Sequence, residues 1–127
     1  MRQKQEYGRA EKLMMKAISV KKQIVGSEIS EDIAYLYNEL AVTYHGNDDY
    51  ENAAKCIKKQ LAIWDELGKN KTLDYAGCLF FLGELYKDLD MTSEAISALD
   101  KGIRLHEQVT EDSQEEIGNI SSVSAVG

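Results

Sequence analysis

The sequence predicts an all-α protein in which antiparallel helix pairs stack as a short solenoid. Three observations carry this expectation. Proline is absent from the whole chain, so the strongest helix breaker is missing. Apolar residues recur at intervals of three, four and one, the stripe of a 3.6-residue period. The stripe itself repeats: residues 34–67 lie over residues 76–109 at a shift of 42.

At that shift Ala34 meets Ala76, Tyr37 meets Leu79, Leu40 meets Leu82, Ala41 meets Gly83 and Tyr44 meets Tyr86. Further on, Ala53 meets Ala95, Ile57 meets Leu99, Lys59 meets Lys101 and Leu61 meets Ile103. Small residues face small ones and large apolar residues face large ones, so the repeat is one of packing. A half copy opens the chain, where Tyr7, Ala10, Ile18 and Val20 match Tyr50, Ala53, Leu61 and Ile63 at a shift of 43. The whole reads as about two and a half repeats.

Taken in order, the first helix covers about residues 3–25 and stops at Gly26. The second spans about 31–46, with Ile33, Leu36, Tyr37, Leu40, Ala41 and Tyr44 as its stripe and Ser30 as its N-cap. Gly46 and Asn47 are expected to supply its left-handed C-terminal turn. The third covers about 49–67, with Tyr50, Ala53, Ala54, Ile57 and Leu61 inward and Gly68 at its end. The fourth and fifth cover about 73–89 and 92–109, the last capped by Thr92 or Ser93. These five make one domain over residues 1–110. Residues 111–127 turn acidic and rich in Ser and Gly, and read as a weak further helix or a flexible tail. No segment alternates polar and apolar residues for long, so strands are not expected.

Charge narrows the partners. The net charge is -7, which disfavours nucleic acid and anionic membrane surfaces and suits a basic peptide or basic protein face. No segment holds the ~18 apolar residues of a membrane span, so no insertion is expected. Charges run through the first 25 residues, unlike a signal peptide. Cys56 and Cys78 sit on apolar stripes and read as small buried hydrophobes in a reducing compartment. A cytoplasmic location follows as the expectation. Chemistry is not indicated. His45 and His106 lie on different helices, the cysteines have no metal-ligand spacing, and no phosphate loop, GxSxG or HExxH occurs. Neither a cofactor, a metal nor an enzymatic activity is expected.

The spacing of Tyr37, Leu40, Ala41 and Tyr44, repeated by Leu79, Leu82, Gly83 and Tyr86, resembles the first helix of the tetratricopeptide repeat. Tyr50, Ala53 and Ile57 resemble its second helix, with Gln60 where the pattern asks for a small residue and Thr92 where it asks for an aromatic one. The 42-residue period is longer than the usual ~34 and is similar to the kinesin-light-chain subtype. Tyr37-Asn38-Glu39-Leu40-Ala41-Val42 and Ala62-Ile63-Trp64-Asp65-Glu66-Leu67-Gly68 carry that likeness.

The resemblance implies a right-handed solenoid and a protein-interaction scaffold or adaptor that takes a peptide or protein segment in its concave groove. First helices line that groove in the family. One face of helix 31–46 presents Tyr35, Asn38, Val42 and His45, and the equivalent face of helix 73–89 presents Gly77, Phe80, Glu84 and Lys87. Asn38 is placed to bond a ligand backbone, and Phe80 to anchor it, unless Phe80 joins Phe81 and Leu82 in the core. His45, Glu84 and Lys87 would set charge preference. Because the chain opens on an unpaired second helix, it reads as a piece of a longer array. Two alternatives stay open: a self-associating module whose end helices pair as a homodimer, and a peptide-sensing regulatory domain.

Overall fold

The computed structural model describes residues 2–126, with side chains over residues 6–113. Five helices follow one another: α1 (Arg2–Val25), α2 (Glu31–Gly46), α3 (Tyr50–Glu66), α4 (Leu73–Asp88) and α5 (Thr92–Val126). Among the described residues there is no strand. Backbones approach one another only between consecutive helices, α1 on α2 through α4 on α5. That nearest-neighbour pattern is the signature of a linear helical repeat.

The period of 42 extends from the side chains into the turns. Asp48 and Asp90 both adopt left-handed backbone angles, with φ of 60° and 59°. In each turn this residue's amide donates to the carbonyl three back, Asp48 to His45 and Asp90 to Lys87. The next amide then donates to the conserved-register tyrosine, Asp49 to Tyr44 and Met91 to Tyr86, both at 2.8 Å. Aspartate tolerates this conformation better than most side chains. Gly26 and Gly68, also 42 apart, take φ of +73° and +71° at the other kind of junction.

Gly46 is therefore not the left-handed residue expected from the sequence; that place belongs to Asp48. Gly46 ends α2, and a Cβ there would lie 2.9 Å from the Tyr7 ring of α1. Its role is close approach. Capping also differs in detail. Ser30 occupies the N-cap of α2 without a side-chain bond, whereas Asp49 accepts from the Asn52 amide and Thr72 from the Tyr75 amide. Thr92 is the first residue of α5, one place inside the cap position expected for it. No break falls near Val109; α5 runs on to Val126, because neither proline nor a C-cap glycine interrupts residues 103–117. The side chains of residues 114–127 lie outside those described.

The core is the stripe the repeat predicts. Ile33, Ile57 and Leu85 are wholly buried, and Ala34, Ala41, Ala53 and Ala76 lie beneath them without exposed surface. Small residues set the spacing: a Cβ on Gly83 would meet the Leu99 side chain of α5 at 2.6 Å. Cys56 and Cys78 are buried and unbridged. Gln60, the departure from the repeat pattern, is buried too, and its Oε1 and the Trp64 Nε1 lack hydrogen-bond partners among the described residues.

Candidate interaction surfaces

The face of α2 singled out in the sequence is largely exposed. Tyr35 and Val42 keep 50% and 52% of their surface, His45 is exposed, and Asn38 is half-buried. Tyr35 is pinned edge-on to Trp64 of α3, with ring centroids 5.6 Å apart. The His45 ring sits 5.4 Å from Tyr50 and 5.8 Å from Phe81, which links α2 to α4. On α4, Gly77, Glu84 and Lys87 are exposed, and neither charge has an ion-pair partner among the described residues. Phe80 is half-buried. It leans on α5, where a Cβ on Gly102 would touch its ring at 3.2 Å and His106 lies 6.5 Å away. Part of its surface therefore serves the α4–α5 contact.

A groove runs between α1 and α2. Leu13, Ala17, Val20 and Ile24 of α1 and Tyr35 and Leu36 of α2 line about 550 Å³ of it. Spacings of four, three and four put the α1 residues on one helical stripe. Leu13 and Ile24 keep 65% and 73% of their surface. Their counterparts at the shift of 43 are Cys56 and Leu67 on α3, where Cys56 keeps only 6%. Neighbouring helices cover that stripe on α3; on α1 it is open.

A second basin, also about 550 Å³, lies over the other side of α2, between α1 and α3. At ~100° per residue, Tyr37, Leu40 and Tyr44 point roughly opposite to Tyr35, Val42 and His45. These three and Ile18 and Cys56 make its floor, and Lys22, Lys55, Lys58 and Lys59 line it together with Met15, Ser19 and Asn52. The ammoniums of Lys22 and Lys59 both lie over the Tyr37 ring, 5.8 and 5.4 Å from its centroid. Hydrogen bonding to Tyr37 is the main cause that raises the Lys22 pKa. The Lys58 ammonium lies 5.3 Å over Tyr86. Three of these lysines, Lys55, Lys58 and Lys59, form a visible run in the sequence. Lys22 joins them only once α1 packs on α2 and faces α3 across the basin.

Burial pushes both thiols up to about 11, with no cation close enough to reverse the effect. They are protonated, unreactive packing groups. Tyr75 is pushed up to about 12 by burial and by its hydrogen bond to Asp65, where the hydroxyl donates at 3.0 Å. Among the described residues, no three His, Cys, Asp or Glu converge on a metal position. No described helix is long and apolar enough to cross a membrane.

Stacked helix pairs with exposed grooves define a helical-repeat protein. The tetratricopeptide-repeat family model matches residues 32–108, more than half of the chain, and the protein belongs to that family. Such repeats generally act as protein-interaction modules and are typically not enzymes. No protein of curated function matches the chain.

Proposed function

We propose that this domain is a scaffold or adaptor module that takes a peptide or protein segment along the shared face of α2 and α4. The observation that carries the reading is the half-exposed pair Tyr35 and Val42 on an ordered helix, with Tyr35 held in place by its edge-on contact with Trp64. Large apolar groups kept in water beside polar ones are a usual mark of a contact surface. Asn38 and His45 offer hydrogen bonds, and Glu84 and Lys87 bring charges unspent within the fold. The test is affinity capture comparing the native chain with an Asn38→Ala, Val42→Glu, Lys87→Glu variant that circular dichroism finds folded. Phe80 is left intact because it packs on α5. A partner held by the native chain and lost by the variant supports this reading; equal capture sinks it.

A second reading, self-association as a homodimer, is favoured by the open stripe Leu13, Val20 and Ile24 on α1. Light scattering should then give a mass that rises with concentration and falls back to the monomer in Leu13→Glu, Ile24→Glu. A constant monomeric mass in the native chain removes it.

A further inference from the structure

We propose that the lysine-lined basin between α1 and α3 is a second binding site, specific for a short acidic peptide segment. It stands independently of the α2–α4 face, from which α2 itself separates it. The first ground is charge. The chain holds 22 acidic and 15 basic residues, yet this basin is lined by Lys22, Lys55, Lys58 and Lys59 and by no carboxylate. The Lys58 stem lines the hollow while its ammonium lies 5.3 Å over Tyr86. The like charges of Lys22, Lys55 and Lys59 repel one another, and an anion between them relieves that repulsion. Lys58 and Lys59 have no acidic partner among the described residues. Lys22 and Lys55 meet Glu28 and Glu51 only at 3.6 and 3.8 Å on exposed surface, contacts weak enough to exchange for a ligand's.

The second ground is the floor. Tyr37, Leu40, Cys56 and Ile18 are buried, Tyr44 continues the floor beside them, and Met15 lines the hollow as well. Such a site seats an aliphatic side chain while the ammoniums meet carboxylates on either side of it. Two lysines are already poised over the Tyr37 ring, so little side-chain freedom remains to be lost.

The third ground is the next repeat. Leu79, Leu82, Tyr86, Glu94, Ser97, Ala98 and Lys101 line a groove on α4 and α5, and each is the 42-residue successor of a basin residue. That groove is smaller, about 230 Å³, and Glu94, Ser97 and Asp100 stand where Asn52, Lys55 and Lys58 stand in the basin. The lysine set is thus a property of one site, and the repeat does not impose it. A nucleic acid fits less well. Its phosphate run would extend over Glu28 and Glu51 at the rim, whereas a short acidic peptide ends before them.

The experiment uses the full chain and fluorescence anisotropy with a labelled peptide in which glutamate pairs bracket a leucine. A glutamine version of the peptide and a single-stranded oligonucleotide serve as comparison probes. The acidic peptide should bind, weaken in high salt, and shift the amides of residues around Tyr37, Tyr44 and Lys55–Lys59. Lys58→Glu, Lys59→Glu should lower affinity by about tenfold or more, while Lys71→Glu, at an exposed lysine outside both surfaces, leaves it unchanged. If the reversal variant does not fold, Lys58→Gln, Lys59→Gln is used, with a smaller loss expected. Equal binding of the glutamine peptide, indifference to the lysine variants, or binding of the oligonucleotide alone would each overturn the proposal.

Discussion

The basin over α2 and the groove over α4 are the same surface built twice, and they do not have the same properties. Leu40 and Leu82, Tyr44 and Tyr86, and Lys59 and Lys101 occupy equivalent places in both. These residues touch the floor or brace the helix pair, and the repeat keeps them. Tyr37 against Leu79 and Cys56 against Ala98 differ within the buried floor. The changes of charge, Asn52 against Glu94, Lys55 against Ser97 and Lys58 against Asp100, fall on the outer side of the second helix. Even the brace over the tyrosine changes. Met15 sulfur accepts from the Tyr44 hydroxyl at 3.8 Å, while its successor Lys58 lays an ammonium over the Tyr86 ring. The lesson is a division of labour. Packing fixes the scaffold at a period of 42, and surface charge is then free to differ from one copy to the next.

Helix α3 closes the first copy and also packs against α4 of the second, so it is the place to test whether they are mechanically one unit. Ile57, wholly buried, should cost about 2–5 kcal/mol on replacement by Ala, because it leaves a cavity in the core. Denaturant unfolding followed by far-UV circular dichroism and by the fluorescence of the one tryptophan, Trp64, should shift together. Separate transitions would mean that the copies unfold independently, and would break the comparison at its base.

Each copy also hides a thiol, and alkali should find both. Folded Cys56 and Cys78 hold their protons up to about 11, above the ordinary value of 9.0, because burial penalises the thiolate. Between those values the unfolded chain has lost the protons and the folded chain keeps them, so stability is intact below pH 9 and falls as pH rises toward 11. The loss should be on the order of 2 kcal/mol per thiol across that window. Tyr75, pushed up to about 12, adds to it in the same direction. Denaturant midpoints across this range check it. A Cys56→Ala, Cys78→Ala variant should give a flatter curve, and an equally steep one would exonerate the thiols.

Most of the scaffold was legible because one constraint, the need to bury a stripe at a 3.6-residue period, writes itself into consecutive residues. Ile33, Leu40, Ala53, Ile57 and Leu82 all lie in the core that their spacing indicates. Turn geometry was less legible. Gly46 looked like the left-handed residue, but its missing side chain makes room for Tyr7, a contact 39 positions away that local reading cannot see. Asp48 and Asp90 did carry a signal, since the same residue type recurs at the repeat distance. For the sites, the exposed face of α2 followed from its stripe. The basin did not, because Lys22 comes from another helix and the stripe gives no account of how α1 lies beside α3.

The gentlest test moves the difference itself. A Glu94→Asn, Ser97→Lys, Asp100→Lys variant gives the α4 groove the charges of the basin. All three positions are exposed, and among the described residues they remove one ion pair, that of Asp100 with Arg104 at 3.1 Å, an exposed contact one helical turn long. Stability should therefore change by no more than about 0.5 kcal/mol in denaturant titration. Binding is the informative readout. In a chain that also carries Lys58→Glu, Lys59→Glu, the transplanted lysines should restore only weak binding of the acidic peptide, because the groove offers about 230 Å³ against 550 Å³. Full restoration would mean that charge alone selects the ligand and that the apolar floor of Tyr37, Leu40 and Ile18 adds nothing to recognition. No restoration at all would place the selectivity in the floor and in Lys22 on α1, which the transplant leaves behind.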